Sequence, residues 1–304
     1  MSQIVSIGLP AAMIGALRKH LSLEPLGDEG GAHATVLIAR GETVSASVLE
    51  RLPVLQLVVA VGAGYDHVDV ELLRERGILL ANSPGGTAIC VADFALGALL
   101  DLVRGIAAAD RFVRARKWGP GVSGACRRFS GRRLGILGMG AIGLAIAHRA
   151  GGFDLEVGYC NRKPRPASDH RFFREPVALA QWCDYLVVAC SASTSTHHLV
   201  DGALLGALGK DGFLVNISRG SVVDPSALIH ALQSGGIAGA ALDVFEDEPR
   251  VPEALLAMEN VVLTPHIAGR TTEGGTDIMR DIVLQIESFL ATGAPKTRIE
   301  FANK

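Results

Sequence analysis

The sequence has few aromatic residues, no marked excess of either charge, and no apolar run long enough to cross a membrane. Its 304 residues are 5% aromatic and 20% charged, with a formal net charge of −2. This balance gives no reason to expect nucleic acid or an anionic membrane as a partner. The apolar runs are interrupted by Asp93 and Asp101, and no basic segment precedes the first of them. We therefore expect a cytoplasmic globular protein.

The sequence also lacks a paired cysteine motif. Its five cysteines, Cys90, Cys126, Cys160, Cys183 and Cys190, form no CxxC pair, and most stand among apolar residues. Buried free thiols are expected from this pattern rather than disulfides or a zinc site. His197 and His198 lie in a polar stretch with no acid at ligand spacing, so they are predicted to be surface residues. No metal site is predicted.

A glycine-rich turn stands between a predicted strand and a predicted helix. Gly138, Gly140 and Gly143 follow the apolar run Leu134–Leu137. In a dinucleotide-binding turn the first glycine permits the bend, the second lets the backbone approach a pyrophosphate, and the third lets helix and strand pack closely. The helix N-terminus then offers free N–H groups to the phosphates. The pattern predicts a dinucleotide site, and an ordinary glycine turn is the alternative.

The turn after the next predicted strand is basic. It reads Asn161-Arg162-Lys163-Pro164-Arg165, with no carboxylate before Asp169. An NAD site usually places Asp or Glu here to hold the ribose hydroxyls, whereas a guanidinium can grip a 2′-phosphate. We therefore predict NADP(H) as the cofactor, with a solvated basic turn as the alternative.

Short apolar runs alternate with helical patterns along the whole chain. This alternation predicts an α/β fold with two doubly wound, Rossmann-like parallel sheets. The predicted strands are Ile4–Ile7, Thr35–Ala39, Leu55–Ala60, Ile78–Ala81, Leu134–Leu137, Leu155–Cys160, Tyr185–Ala189, Phe213–Asn216, Ile237–Leu242 and Val261–Leu263. One or two helices are predicted between Thr87 and Arg116, and another over Thr272–Ala291. We expect a substrate-binding domain of residues 1–99 and 272–304, with a dinucleotide-binding domain of residues 100–271 inserted into it and the site in the cleft between them.

Three predicted strand ends of the second domain carry ionisable residues. Arg219 suits the carboxylate and carbonyl of a 2-oxo acid, His266 can pass a proton to the oxygen, and Glu248 can orient His266 and favour its charged form. In a doubly wound sheet such strand ends face one crevice. Each residue also has a structural alternative, since Arg219 could pair with Asp224 while the other two could be solvated turn residues.

The chain resembles the D-2-hydroxyacid dehydrogenase family over nearly its whole length. The specific segments are Gly138–Gly143, Lys210–Asp224, Ala241–Pro249 and Thr264–Gly269. The resemblance implies that Arg219, Glu248 and His266 form the catalytic trio and that Ala63 and Gly64 bind the substrate carboxylate. It also implies cofactor contacts from Gly138, Gly140, Ala141, Ile142, Gly143, Asn161, Arg162, Lys163, Ser191, Ile217 and Asp243, with Asp243 touching the nicotinamide carboxamide.

Within the family, the chain is most similar to NADPH-dependent glyoxylate/hydroxypyruvate reductases. The resemblance implies reduction of a small 2-oxo acid to the D-2-hydroxy acid in a homodimer, in which Trp118 reaches the neighbouring subunit. A hydroxyphenylpyruvate-type reductase and a nucleotide-sensing corepressor are the alternatives. Two residues depart from the family pattern, because Asp93 replaces Glu and Arg270 replaces a small residue. The second cation could meet another acidic group of the substrate.

Overall fold

The computed structural model describes residues 3–27, 31–83, 86–119, 126–166 and 168–301. The chain divides into two compact units, Met1–Thr87 with Arg270–Lys304, and Ala88–Gly269. Each unit is built on one sheet, and all of the strand pairs are parallel. The predicted fold class, two parallel-sheet α/β domains, is confirmed.

The first unit has a five-stranded sheet in the order β2-β1-β3-β4-β5. Its strands are β1 (Ile4–Ile7), β2 (Leu23–Pro25), β3 (Val36–Ala39), β4 (Leu57–Ala60) and β5 (Leu79–Asn82). Its helices are α1 (Ala11–Leu17), α2 (Ala46–Glu50), α3 (Val70–Glu75) and α11 (Thr272–Thr292). Strands β1, β3 and β4 are buried along their whole length because crossover helices cover both faces of a parallel sheet.

The second unit has a seven-stranded sheet in the order β12-β11-β10-β9-β6-β7-β8. Its strands are β6 (Arg133–Leu137), β7 (Glu156–Cys160), β8 (Arg171–Phe173), β9 (Tyr185–Val188), β10 (Phe213–Asn216), β11 (Gly239–Leu242) and β12 (Val261–Leu263). Its helices are α4 (Ala88–Arg104), α5 (Ile106–Arg114), α6 (Ala141–Ala150), α7 (Pro176–Trp182), α8 (Gly202–Leu208), α9 (Pro225–Gln233) and α10 (Glu253–Leu256). From β6 the chain builds outward in both directions, so the strand order reverses between β6 and β9. Ligands of doubly wound sheets bind at such a point, beyond the carboxyl ends of the strands.

The two units meet after Thr87 and after Gly269, whereas the sequence predicted these boundaries after residues 99 and 271. The first boundary lies before α4, because this helix packs against α6 and against β10 and β11 of the second unit. An ion pair between Asp93 on α4 and Arg149 on α6 adds to the packing of these two helices. The sequence predicted one or two helices between Thr87 and Arg116, and the structure has two, α4 and α5. Gly105, with φ +63°, separates them.

Two strands, β2 and β8, were not predicted. Each has three residues and pairs with a neighbour on one side only, at the edge of its sheet. Such an edge strand needs no buried apolar run, and the pattern that reveals the central strands is therefore missing from it.

Among the described residues, no helix combines the length and apolarity needed to cross a bilayer. Large apolar side chains are nevertheless exposed on and after α5, where Ile106, Val113 and Trp118 are 54%, 51% and 76% exposed. A subunit contact would cover such side chains. The homodimer and the contact of Trp118 with a neighbouring subunit stay predictions.

Candidate active site

The glycine turn follows β6, at the reversal of the strand order. A Cβ atom on Gly138, whose φ is +103°, would lie 2.5 Å from the backbone nitrogen of Cys190. A Cβ on Gly143 would lie 2.3 Å from the carbonyl oxygen of Gly138. By contrast, no atom lies within 4 Å of the corresponding position at Gly140, which precedes α6 as its N-cap residue. The protein's own backbone fills the space beside the outer two glycines and leaves the space beside the middle one open, which is what a bound pyrophosphate requires.

We expect Gly140→Ala to weaken cofactor binding without destabilising the fold. The added methyl group meets no protein atom and the backbone is extended there (φ −82°, ψ −156°), so the melting temperature should hardly change. The same methyl group would occupy the open space beside the turn and raise KM for the nicotinamide cofactor. Gly143→Ala is the contrasting variant, because its clash should cost about 1–3 kcal/mol of stability. If Gly140→Ala binds the cofactor like the wild type, no pyrophosphate approaches this turn.

The basic turn after β7 is held against the glycine turn. The side-chain oxygen of Asn161 accepts a hydrogen bond of 2.8 Å from the backbone N–H of Met139, and a guanidinium nitrogen of Arg165 lies 3.2 Å from the carbonyl oxygen of Met139. Arg162 and Lys163 are exposed, and neither forms an ion pair with another described residue. Two cations therefore stand at the end of β7, beside the glycine turn, where a carboxylate would hold the ribose of NAD.

The loops after β9 and β10 are joined to each other. The Ser218 hydroxyl donates to the carbonyl of Cys190, and the N–H of Ile217 lies 3.3 Å from the carbonyl oxygen of Val188. Ile217 is buried, whereas Ser191 is exposed and its carbonyl accepts from the Thr196 hydroxyl at 2.9 Å. Ser191 and Ile217 thus lie at the carboxyl ends of adjacent strands.

The cysteines are all free, but they are not all buried. Cys183 is buried, Cys126 is exposed, and the other three are intermediate. Burial raises the pKa of Cys190 to about 11 and that of Cys183 to about 12. A thiol that stays protonated near neutral pH is a poor nucleophile, so neither of these two is suited to covalent chemistry.

Arg219 stands on a turn that Asn216 shapes. The Asn216 side chain donates to the carbonyl of Arg219 at 3.0 Å and accepts from the N–H of Ser218 at 3.1 Å. Asp224, the alternative partner of Arg219, instead caps α9, where its carboxylate accepts from the N–H groups of Ser226 and Ala227.

Gly220, the next residue, touches the loop after β11. A Cβ atom on Gly220 would lie 1.9 Å from the carbonyl carbon of Phe245. The loops after β10 and β11 can approach this closely only because the residue is glycine. The structural roles of Asn216 and Gly220 were not predicted, although both residues lie within the segment Lys210–Asp224 that carries the resemblance.

His266 and Glu248 are in contact, as predicted. The Nδ1 atom of His266 lies 2.9 Å from Oε2 of Glu248, and both side chains are partly exposed. The other oxygen of Glu248 accepts from the N–H of Phe245 at 3.1 Å. Because Glu248 engages Nδ1, the Nε2 atom of His266 is the one left for a substrate.

Asp243 holds the loop that carries His266. The backbone of His266 is in the left-handed region with φ +51°, which costs about 1–3 kcal/mol in a residue other than glycine. Asp243 is 2% exposed, and its carbonyl accepts from the N–H of His266 at 2.9 Å. Its carboxylate accepts from the Thr264 hydroxyl and from the N–H groups of Ile267 and Ala268. These four hydrogen bonds fix the strained backbone. The contact of Asp243 with the nicotinamide stays a prediction.

In the first unit, Ala63 and Gly64 follow β4. The carbonyl of Ala63 accepts a hydrogen bond of 2.7 Å from the side chain of Asn82, at the end of β5. Asp69 ends the loop and caps α3 by accepting from the N–H of Leu72 at 3.0 Å. The loop is thus tied to the neighbouring strand, and the binding of a carboxylate by it stays a prediction.

His197 and His198 lie at the surface, as predicted, but they do contact an acid, which the sequence did not indicate. Nε2 of His198 lies 2.9 Å from Oε1 of Glu246, and Nε2 of His197 lies 3.6 Å from the same oxygen. The loops after β9 and β11 bring these residues together from 48 positions apart. Spacing along the chain therefore gave no signal for this contact.

Comparison with known proteins identifies the family. The model of the D-isomer specific 2-hydroxyacid dehydrogenase NAD-binding domain matches residues 96–268. The chain belongs to the D-isomer specific 2-hydroxyacid dehydrogenase family. It is therefore an oxidoreductase that uses a nicotinamide cofactor, with 2-oxo and 2-hydroxy acids as the class of substrate.

Several members of this dehydrogenase family are close in sequence or structure. The chain is 43% identical to glyoxylate/hydroxypyruvate reductase A of Arabidopsis thaliana, over 79% of this chain and 76% of the relative. It is 41% identical to hydroxyphenylpyruvate reductase of Plectranthus scutellarioides, with the same coverage. The structure is also similar to the crystal structure of the NADPH-dependent glyoxylate/hydroxypyruvate reductase of Sinorhizobium meliloti in complex with NADP and malonate. The TM-score is 0.88 at 33% sequence identity, and the match covers 97% of this chain and 96% of the other.

Proposed function

We propose that the protein is an NADPH-dependent reductase that converts a small 2-oxo acid of the glyoxylate/hydroxypyruvate type to the D-2-hydroxy acid. The observation that carries this proposal is the contact of 2.9 Å between His266 and Glu248. This pair lies at the carboxyl ends of β11 and β12, beside the β10 turn that carries Arg219. The curated relatives named for glyoxylate and hydroxypyruvate reduction support the substrate class.

The side chains have complementary tasks in the reaction. A bound nicotinamide supplies the hydride that adds to C2 of the oxo acid. Arg219 holds the carboxylate through its planar fork of N–H donors and polarises the C2 carbonyl. His266 gives the proton on Nε2 to the carbonyl oxygen as that oxygen gains charge.

Glu248 is the positioning residue of the pair. Its carboxylate accepts a hydrogen bond from the Nδ1–H of His266, which fixes the orientation of the imidazole ring and leaves Nε2 for the substrate. The N–H of Phe245 holds Glu248 in turn, so His266 acts from a supported position.

The loop at Ala63 and Gly64 in the first unit is the proposed backbone site for a substrate carboxylate. Its backbone N–H groups can donate to an anion without adding a further charge to the site. Asn82 holds this loop through the carbonyl of Ala63, which supports a fixed geometry. Arg270 follows Gly269 directly and is exposed. We expect it to favour acids that carry a second anionic group.

Cofactor selection rests on the basic turn. Arg162 and Lys163 offer two exposed cations for a 2′-phosphate, and an adjacent carboxylate is missing. A hydrogen bond to a charged group contributes about 1.5–3 kcal/mol. Since about 1.4 kcal/mol corresponds to a factor of ten, one well-placed arginine implies a preference of roughly ten- to a hundredfold for NADPH over NADH.

We expect the double variant Arg162→Gln/Lys163→Gln to lose most of this preference. KM for NADPH should rise by about ten- to a hundredfold, while KM for NADH should hardly change, because only NADPH carries the 2′-phosphate. The wild-type preference should also weaken as salt rises, since the turn is exposed. Lys210→Gln, which removes an exposed cation elsewhere on the same unit, is the control. A wild-type enzyme that uses both cofactors equally would contradict the assignment.

Turnover by the wild type tests the proposed activity itself. The purified protein is expected to oxidise NADPH in the presence of glyoxylate or hydroxypyruvate, and kcat/KM over a panel that adds phenylpyruvate and hydroxyphenylpyruvate ranks the substrates. Binding of NADPH without turnover on any of these acids would instead favour a nucleotide-sensing protein. A higher kcat/KM for the aromatic acids would favour a hydroxyphenylpyruvate reductase.

A further inference from the structure

His197, His198 and Glu246 form a cluster outside the proposed active site. Each residue offers one potential ligand atom, and these three atoms all lie within 4.8 Å of one another. The two imidazole rings stack with their centroids 4.0 Å apart and their planes 25° apart, so that both can direct Nε2 toward Glu246. All three side chains are accessible, with exposed fractions of 57%, 34% and 37%.

The backbone holds the two histidines in place. The Ser193 N–H donates to the Thr196 hydroxyl at 2.8 Å, and that hydroxyl donates to the carbonyl of Ser191 at 2.9 Å. The N–H of His198 donates to the carbonyl of Ser221 at 2.8 Å, and the φ of His198 is +50°. These hydrogen bonds hold the backbone of the loop that carries the two histidines, in addition to the contact of their rings with Glu246.

We propose that His197, His198 and Glu246 bind one divalent transition-metal ion of the zinc class. Two imidazole nitrogens and one carboxylate oxygen are a ligand set found on Zn²⁺, with water or another ligand completing the shell. Mg²⁺ and Ca²⁺ prefer all-oxygen shells and are poor candidates. Among the described residues, no other three histidine, cysteine or acidic side chains bring their potential ligand atoms this close together.

An ion at this site would cross-link two loops. The histidines belong to the loop after β9, and Glu246 belongs to the loop after β11, two residues before Glu248. Because an ion that binds the folded protein and not the unfolded chain stabilises the fold, Zn²⁺ should raise the melting temperature. This inference is independent of the proposed reductase activity.

Calorimetric titration of Zn²⁺ into tag-free protein tests the site. Cys126→Ser serves as the background, because it removes the one exposed thiol among the described cysteines. We expect one Zn²⁺ per chain and a rise in melting temperature. His197→Gln and Glu246→Gln should each weaken binding at least about tenfold, since loss of even an outer-shell partner costs that much. Mg²⁺ should neither bind nor compete.

Two further variants separate this site from other imidazoles. His230→Gln, an exposed histidine on α9, and His266→Gln, which removes the histidine of the proposed active site, should leave the zinc affinity unchanged. Circular dichroism confirms that each variant is folded. The proposal is wrong if Zn²⁺ does not bind, if His197→Gln binds it like the parent protein, or if His266→Gln is the variant that abolishes binding.

Discussion

The variant His266→Gln is expected to lower kcat for 2-oxo acid reduction by a factor of about 10²–10⁴, the usual contribution of a positioned general acid. The glutamine side chain is neutral and holds its protons too tightly to transfer one to the developing alkoxide. Cofactor binding should persist, because the glycine turn and the basic turn lie at the ends of β6 and β7 and do not involve this side chain. The loss should therefore appear in kcat, with KM for NADPH little changed.

Steady-state kinetics with saturating NADPH measure this effect. His230→Gln is the matched control, since it makes the same substitution at an exposed position of the same unit. Because φ at His266 is +51°, a change at this position could also disturb the loop, and the melting temperature of the variant should be compared with that of the wild type. A folded His266→Gln variant with near wild-type kcat would remove this residue from the mechanism.

Arg219→Lys is the second substitution with a large expected effect. An ammonium group retains the charge but cannot reproduce the planar, two-point grip of a guanidinium on a carboxylate. We expect kcat/KM for the 2-oxo acid to fall by about 10²–10³, in line with the loss of one preorganised donor at a reacting oxygen. Both a lower kcat and a higher KM should contribute, because the same side chain binds the carboxylate and polarises the carbonyl.

The control for this variant is Arg250→Lys, at an exposed arginine that pairs with Asp247 on the surface. Surface ion pairs contribute little to stability, so this change should be nearly silent in all parameters. KM for NADPH should stay the same in both variants. If Arg219→Lys has wild-type kinetics, the guanidinium of Arg219 serves only the local structure of the β10 turn.

The sequence predicted the central strands well because of their burial. Strands such as β3 and β4 are buried along their whole length, so each is an unbroken apolar run, which is the pattern expected for a central strand of a parallel sheet. The edge strands β2 and β8 carry no such requirement and were missed. The first domain boundary was placed too late, because an apolar helix such as α4 shows that it is buried but not which sheet it packs on.

The candidate site shows the same division between local and long-range information. The roles of Gly138 and Gly143 follow from a local turn geometry, and the sequence carries it in the spacing of the glycines. The contact between His266 and Glu248 could be predicted because both follow adjacent strands and resemble a known motif. The cluster of His197, His198 and Glu246 could not, since β10 lies between the two strands whose loops form it.

The central claim is that this chain transfers hydride from NADPH to C2 of a 2-oxo acid and gives the D product. The most direct measurement uses hydroxypyruvate and NADPH deuterated at the transferred position, followed by mass spectrometry and chiral separation of the product. The account predicts D-glycerate with one deuterium atom at C2. Glycerate without deuterium, the L isomer, or no product while NADPH remains bound would contradict it.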